Sequence, residues 1–390
     1  MATFGSGATK IQPSTPAPYI NGFQPSDILP AQWLNWFLAN LTGDNNLGGT
    51  ALNAVIAELD NLVTGAGLVI APGNPSQVYA AIVAMITAIR TITSISATGL
   101  TSFGAFTLAT YIKYTGAGAA TFDISAGATA AGTELVIDNL QSGANTVTIQ
   151  TAAGQTAILG LGSVRLVWDG TQWCKNGGYL FKQIWTSGAS TWKTPFKTSY
   201  KVTCVGGGGG GGGVSMTTSF AVSGGGGGGG TAISILAEAA GATLTYSVGA
   251  AGAAGSSGGG NGGVGGNSTV NDGTVTLQGT GGSGGNGTST NNNIQMGGNG
   301  GIPTGADLLM KGSAGLPGMY IYNWGVTGGL GGCSSMGGGA NSQGWTSNNG
   351  FNGSPGGLYG GGGSGAYAQD TSSHAQTGGA GGAGVIVIEF

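Results

Sequence analysis

Hydrophobic positions along the chain change period three times, and each change marks a different architecture. After an N-cap at Ser26-Asp27, Trp33, Trp36, Phe37 and Leu41 fall at helical spacing until Gly43 stops the run. Leu52, Val55, Ile56, Leu59, Leu62 and Val63 recur at threes and fours up to Gly65, and Asn74-Pro75 then opens a second run. In that run Val78, Ile82, Met85 and Ile89 keep the 4-3-4 spacing of a coiled-coil seam, whose isoleucine content leans toward trimers or higher states. The pattern predicts short helices within 25–92 that form a homotrimeric stalk, or else a compact hairpin of helices in one chain. Trp33, Trp36 and Phe37 present an anchoring face, read either as a docking surface for another protein or as a small local core. Residues 1–24, with Pro13, Pro16 and Pro18, read as an extended arm.

Between 93 and 180 the period drops to two. Thr110–Thr115, Glu134–Asp138, Thr146–Gln150 and Ser163–Trp168 alternate as half-buried strands do, and Asp169-Gly170 makes a tight turn into Thr171–Cys174. This predicts a small all-β domain.

From 181 to 390 large side chains thin out and glycine takes over. Eight glycines stand in a row at Gly206–Gly213 and seven at Gly224–Gly230. Elsewhere glycine returns every third residue: Gly249, Gly252, Gly255 and Gly258; Gly259, Gly262 and Gly265; Gly279, Gly282 and Gly285; Gly378, Gly381 and Gly384. Three residues per turn is the period of the extended PPII-type helix, which has no internal hydrogen bonds, so buried strips must bond sideways to one another. The short β-type runs Ser199–Val205, Thr231–Leu236, Thr243–Val248, Gly273–Leu277 and Val385–Phe390 supply a base, with the last pairing back on the first. The overall expectation is a mostly β and polyglycine-II chain: short N-terminal helices, an all-β middle domain and a glycine-rich sandwich of strips on a β-base. A solvated, flexible glycine-rich chain is the competing reading of the same composition.

Composition narrows the function. Charged residues make up 6% of the 390 positions, with 10 Lys and Arg that form no cluster, so an electrostatic nucleic-acid binder is not expected. Cys174, Cys204 and Cys333 are far apart and the chain has a single histidine, His374; neither a metal site nor a cofactor is expected. Glu238, Asp272, Asp307 and Asp370 are the carboxylates available to a glycan-cleaving site in the glycine-rich region. The N-terminus carries no charged-then-apolar leader, so synthesis in a cytoplasm is expected.

The stretch from Tyr111 to Trp173, with TGAG, IDNLQSGANTVTIQ and VRLVWDGTQW, resembles the β-domains of bacteriophage tail-fibre proteins. Trp185, Trp192 and Pro195 in a W-x6-W-x2-P pattern, then YKVTCVGGGGGGGG, YSVGAAGAAG and the closing GGAGGAGVIVIEF, are similar to the glycine-rich domain at the tips of tailed-phage fibres and to T-even-type adhesins. That resemblance implies a virion protein that binds a bacterial receptor without catalysis, whether polysaccharide or outer-membrane protein, and joins other tail or baseplate proteins through its N-terminus. The residues expected at the receptor are Asn291, Asn292, Asn293, Met319, Tyr320, Tyr322, Asn323, Trp324, Trp345, Phe351, Tyr359 and Tyr367, a set of aromatics and amides suited to recognition. A polysaccharide-degrading tailspike is the alternative.

Overall fold

The computed structural model describes residues 90–141, 145–216, 219–292, 294–321, 325–342, 350–370 and 374–390. The expected arm, the helices within 25–92, and Trp33, Trp36 and Phe37 lie outside them. The chain divides into two units, residues 1–93 with 108–111 and residues 94–107 with 112–390. The second is β-rich, and no helix occurs among the described residues.

In the middle region the chain alternates between two sheets. Gly99–Ser102, Ala120–Asp123 and Val147–Ala152 stack in parallel, and Gln155–Leu159 turns back on the last of them. Ala109–Tyr114 and Glu134–Asn139 belong to the other sheet, which Gly162–Trp168 and Trp173–Gly178 continue. Burial alternates strictly along Ala109–Tyr114 and Glu134–Asn139, as period-two sequence requires. The parallel stacking is a coil with one turn above another, which alternation alone does not predict. The Asp169-Gly170 turn forms as expected: Gly170 sits at φ 107° and Asp169 Oδ1 accepts from the amides of Thr171 and Gln172.

The glycine-rich region starts on a β-sandwich. One sheet runs in the order Lys182–Trp185, Val385–Glu389, Thr198–Val205, Thr231–Glu238, Leu308–Met310; the other is Ala189–Lys193, Thr243–Ser247, Ser268–Asn271, Thr276–Gly279. Val385–Glu389 pairs antiparallel with Thr198–Val205, so the last strand does close on the first. The expected strand at Gly273–Leu277 is different. Asp272 Oδ1 accepts from the amides of Thr274 and Val275, Gly273 takes φ 95°, and residues 273–275 become the turn after Ser268–Asn271, while Thr276 and Leu277 begin the strand Thr276–Gly279. Phe390 lies within 4.9–6.4 Å, ring centre to ring centre, of Tyr200, Phe181, Trp192 and Phe196. This core is continuous with that of the middle region through Trp173 and Phe181.

Strips grow out of these strands. The chain runs outward along 206–213, 249–255, 279–288, 311–317, 337–341 and 360–366, and returns along 224–230, 260–266, 296–301, 328–334, 353–357 and 378–384. The first strip shows the rule that organises them all. Gly206, Gly209 and Gly212 donate to the carbonyls of Gly230, Gly227 and Gly224; Gly207, Gly210 and Gly213 donate to Gly266, Gly263 and Gly260; Gly208 and Gly211 donate to Gly382 and Gly379. Its carbonyls accept with the same period: Gly208 and Gly211 from Gly252 and Gly255, Gly207 and Gly210 from Gly282 and Gly285, Gly209 and Gly212 from Gly363 and Ala366. These bonds are 2.8–3.1 Å long and lead to six surrounding strips. No buried peptide group from Gly207 to Gly213 is left without a partner, a lapse that costs about 1–3 kcal/mol per group.

Glycine is needed here for space. None of Gly206–Gly213 takes a positive φ, yet an added Cβ at Gly210 would run into the carbonyl oxygen of Ala253, and one at Gly211 into that of Ser364. The second run, 224–230, is enclosed in the same way. Strip 249–255 bonds to only three others, 206–213, 260–266 and 378–384, and there Gly249, Gly252 and Gly255 are buried while the intervening alanines are exposed. The glycine content of a strip therefore tracks how many sides are covered.

Gly210→Ala should overpack the lattice and lower unfolding stability by about 1–3 kcal/mol or more. Gly338→Ala, where a Cβ meets nothing within 4 Å, should stay within about 0.5 kcal/mol of the parent in the same denaturant titration. Equal effects would contradict the packing argument.

Candidate functional site

Since the strips alternate in direction, their connections gather at two ends. Those at 214–223, 256–259, 289–295, 318–327, 342–352 and 367–377 lie at the end away from the β-sandwich. Side chains reappear there and close short antiparallel ladders: Val214–Met216 with His374–Gln376, Ser219–Val222 with Tyr367–Asp370, and Ile294–Gln295 with Gly318–Ile321 and Gly325–Thr327. Two small apolar clusters fix these ladders to the strips. Val214, Ala221, Ala366 and Ala368 form one; Val222, Val326 and Tyr367 form the other, with Phe220 and Tyr320 packed against it.

The residues expected at the receptor divide accordingly. Asn291, Met319 and Phe351 are exposed at this distal end. Asn292 is tied to the strand beside it: its Oδ1 accepts from the Val222 amide at 3.0 Å and its Nδ2 donates to the Val222 carbonyl at 3.1 Å. Tyr320 stacks on Phe220 with ring centres 3.7 Å apart, facing inward. Tyr367 is 1% exposed and belongs to the cluster beneath the ladders, so it supports the distal surface without forming it. Tyr359 is at the opposite end, in the turn between the returning strip 353–357 and the outgoing strip 360–366, where its carbonyl accepts from Ser334. A period-three sequence does not reveal strip direction, and strip direction decides which end a turn occupies. Asn293, Tyr322, Asn323, Trp324 and Trp345 lie outside the described residues. Ile294 and Ile321, which the sequence reading passed over, are exposed beside Met319; the alternation in Gly318–Ile321 was the available signal.

The carboxylates considered for glycan cleavage sit elsewhere. Glu238 ends a strand of the sandwich and Asp272 opens a turn, both at the base. Burial raises Glu238 above the usual carboxylate range, and the charge of Asp272 and a hydrogen bond to it raise it further. Burial would also raise Asp272, but the amides of Val275 and Thr274 outweigh it and hold its carboxyl low. Two carboxyls in mutual hydrogen bond are closer than the roughly 5–9.5 Å that a glycosidic bond needs between them. Asp307 accepts from the Ser234 hydroxyl and the Ile235 amide. Among the described residues, no three His, Cys, Asp or Glu side chains group closely enough to hold a metal ion. Of the cysteines, Cys204 is buried and its thiol is pushed up to about 12 by desolvation.

The sequence profile of a family described as a glycine-rich domain matches residues 185–390, which takes in the sandwich except for residues 182–184 of its edge strand, together with every strip and both sets of turns. The chain belongs to this glycine-rich domain family. No curated protein matches the chain. The matched span begins at Trp185, in an edge strand of the sandwich, and ends at Phe390 in its aromatic core, so the glycine-rich domain includes the β-base as well as the strips.

Glu238 gives the domain a pH signature. With its folded pKa raised, its favourable contribution is complete in acid, below the unfolded value, and is lost as pH rises through the folded one. Glu238→Gln, which keeps a hydrogen-bond donor for Asp272 and does not titrate, should match the parent in stability at low pH and exceed it above neutrality. Denaturant titrations across that range check this, and a gap independent of pH would contradict the assigned cause.

Proposed function

We propose that this protein is a structural and binding component of a bacteriophage tail fibre whose distal end adsorbs, without covalent chemistry, to a receptor on the bacterial surface. In this reading residues 25–92 assemble three chains and join them to other tail or baseplate proteins, the middle region is a spacer, and the strips are polyglycine-II helices that make a stiff post. The protein resides in the virion. Three tips on one stalk raise a weak single-site affinity by keeping neighbouring sites at high effective concentration.

One observation carries the reading: a lattice of backbone hydrogen bonds holds six chain connections at one end, away from the charged β-base. Connections are where recognition residues concentrate, and a rigid support reduces the ordering cost of binding. Asn, Ser, Thr and aromatic residues dominate these connections, which suits adaptable non-covalent contact.

Purified full-length protein should bind susceptible cells. Antibody fragments against residues 289–295 or 318–327 should block that adherence, while fragments against residues 163–178 of the middle region should leave it intact. Adherence unaffected by the distal fragments would contradict the assignment, and new reducing ends released from host polysaccharide would favour the tailspike reading.

A further inference from the structure

We propose that the surface taken by the distal end is an uncharged, partly apolar polypeptide, an inference that rests on the adsorption reading above and names its ligand class. The first support is the distribution of charge. In the glycine-rich region Lys182, Lys193, Lys197, Lys201, Glu238, Asp272, Asp307, Lys311 and Glu389 all belong to the sandwich or its margin. The six distal connections contain one carboxylate, Asp370, one histidine, His374, and no lysine, arginine or glutamate. An anionic polysaccharide docked there would lose its hydration with no cation to replace it.

The second support is an apolar row. Ile294 lies directly opposite Met319 in the antiparallel ladder, and Ile321 follows two residues on, so all three side chains project from one face. They are 56%, 38% and 52% exposed. The opposite face of the same ladder is committed inward, with Tyr320 on Phe220 and Val326 buried. Aliphatic and thioether side chains offer no group for sugar hydroxyls but pack well against apolar side chains. Among the described tyrosines none offers a ring face there: Tyr320 and Tyr367 are packed inside and Tyr359 is at the other end, while the exposed ring of Phe351 adds a further apolar group.

The test measures binding of full-length protein to intact susceptible cells, before and after protease shaving and after periodate oxidation of surface sugars, at low and high NaCl. The expected result is binding that changes less than about twofold with salt, since there are no ion pairs to screen, that disappears on shaving, and that survives periodate. The triple variant Ile294→Ser, Met319→Ser, Ile321→Ser should bind at least about 30-fold more weakly, in line with a few central apolar contacts carrying an interface. The control Ile158→Ser, in the middle region, should bind as the parent does. Binding that persists on shaved cells, falls with periodate, or drops more than about tenfold with salt overturns the proposal while leaving adsorption standing. Failure of the parent protein to bind any susceptible cell overturns the adsorption reading and this one together.

Discussion

A peptide group buried among other peptide groups must find its hydrogen-bond partner sideways, and everything beyond the β-sandwich follows from that constraint. The bonds of the first strip repeat every third residue, so successive amides lead to three neighbours and successive carbonyls to three more. Six neighbours therefore satisfy a strip completely, as around Gly206–Gly213. The interior contains no apolar side chains to exclude water, so its cohesion comes from close backbone contact and from the penalty on any amide left unpaired. The price is glycine's entropy, and it explains why the all-glycine runs are confined to the fully enclosed strips.

Such a lattice needs its register set from outside, because one glycine is like the next. The sandwich does this. Thr198–Val205 leads directly into the first strip, 224–230 leads directly into Thr231–Glu238, and those two strands pair over eight positions, with Tyr200, Val202, Cys204, Ala232 and Leu236 buried in the core. Val385–Glu389, entering from strip 378–384, is held by the same sheet and by the aromatic cluster around Phe390. At the far end the small clusters around Val214 and Tyr367 perform the same service where side chains return. Strips between two side-chain-bearing cores cannot slide without breaking one of them.

The sequence made the strips legible because glycine spacing records which sides of each strip are covered: every position in 206–213, every third in 249–255. It made the closing strand and the Asp169-Gly170 turn legible through composition and turn chemistry. Three things were out of reach. Parallel stacking in the middle region pairs Ala120 with Gly99 before it and with Val147 after it, and alternation does not say which strands meet. Gly273 looked like part of a strand until the side chain of Asp272 took two amides into a turn. Tyr359 and Tyr367 look alike in sequence, both tyrosines at the edges of one glycine-rich strip, yet strip direction sends one to the base and the other into a distal core. The scarcity of charge at the distal end was written in the residues throughout, but it has meaning only once the fold shows that those six segments meet.

The account stands on the lattice being a closed hydrogen-bonded solid, and amide hydrogen exchange measures that most directly. The amides of residues 206–213 and 224–230 should be protected to the same degree as those of Thr198–Val205, exchanging only through global opening. Exchange of these glycines at the rate of a free chain, with the sandwich strands still protected, would contradict it.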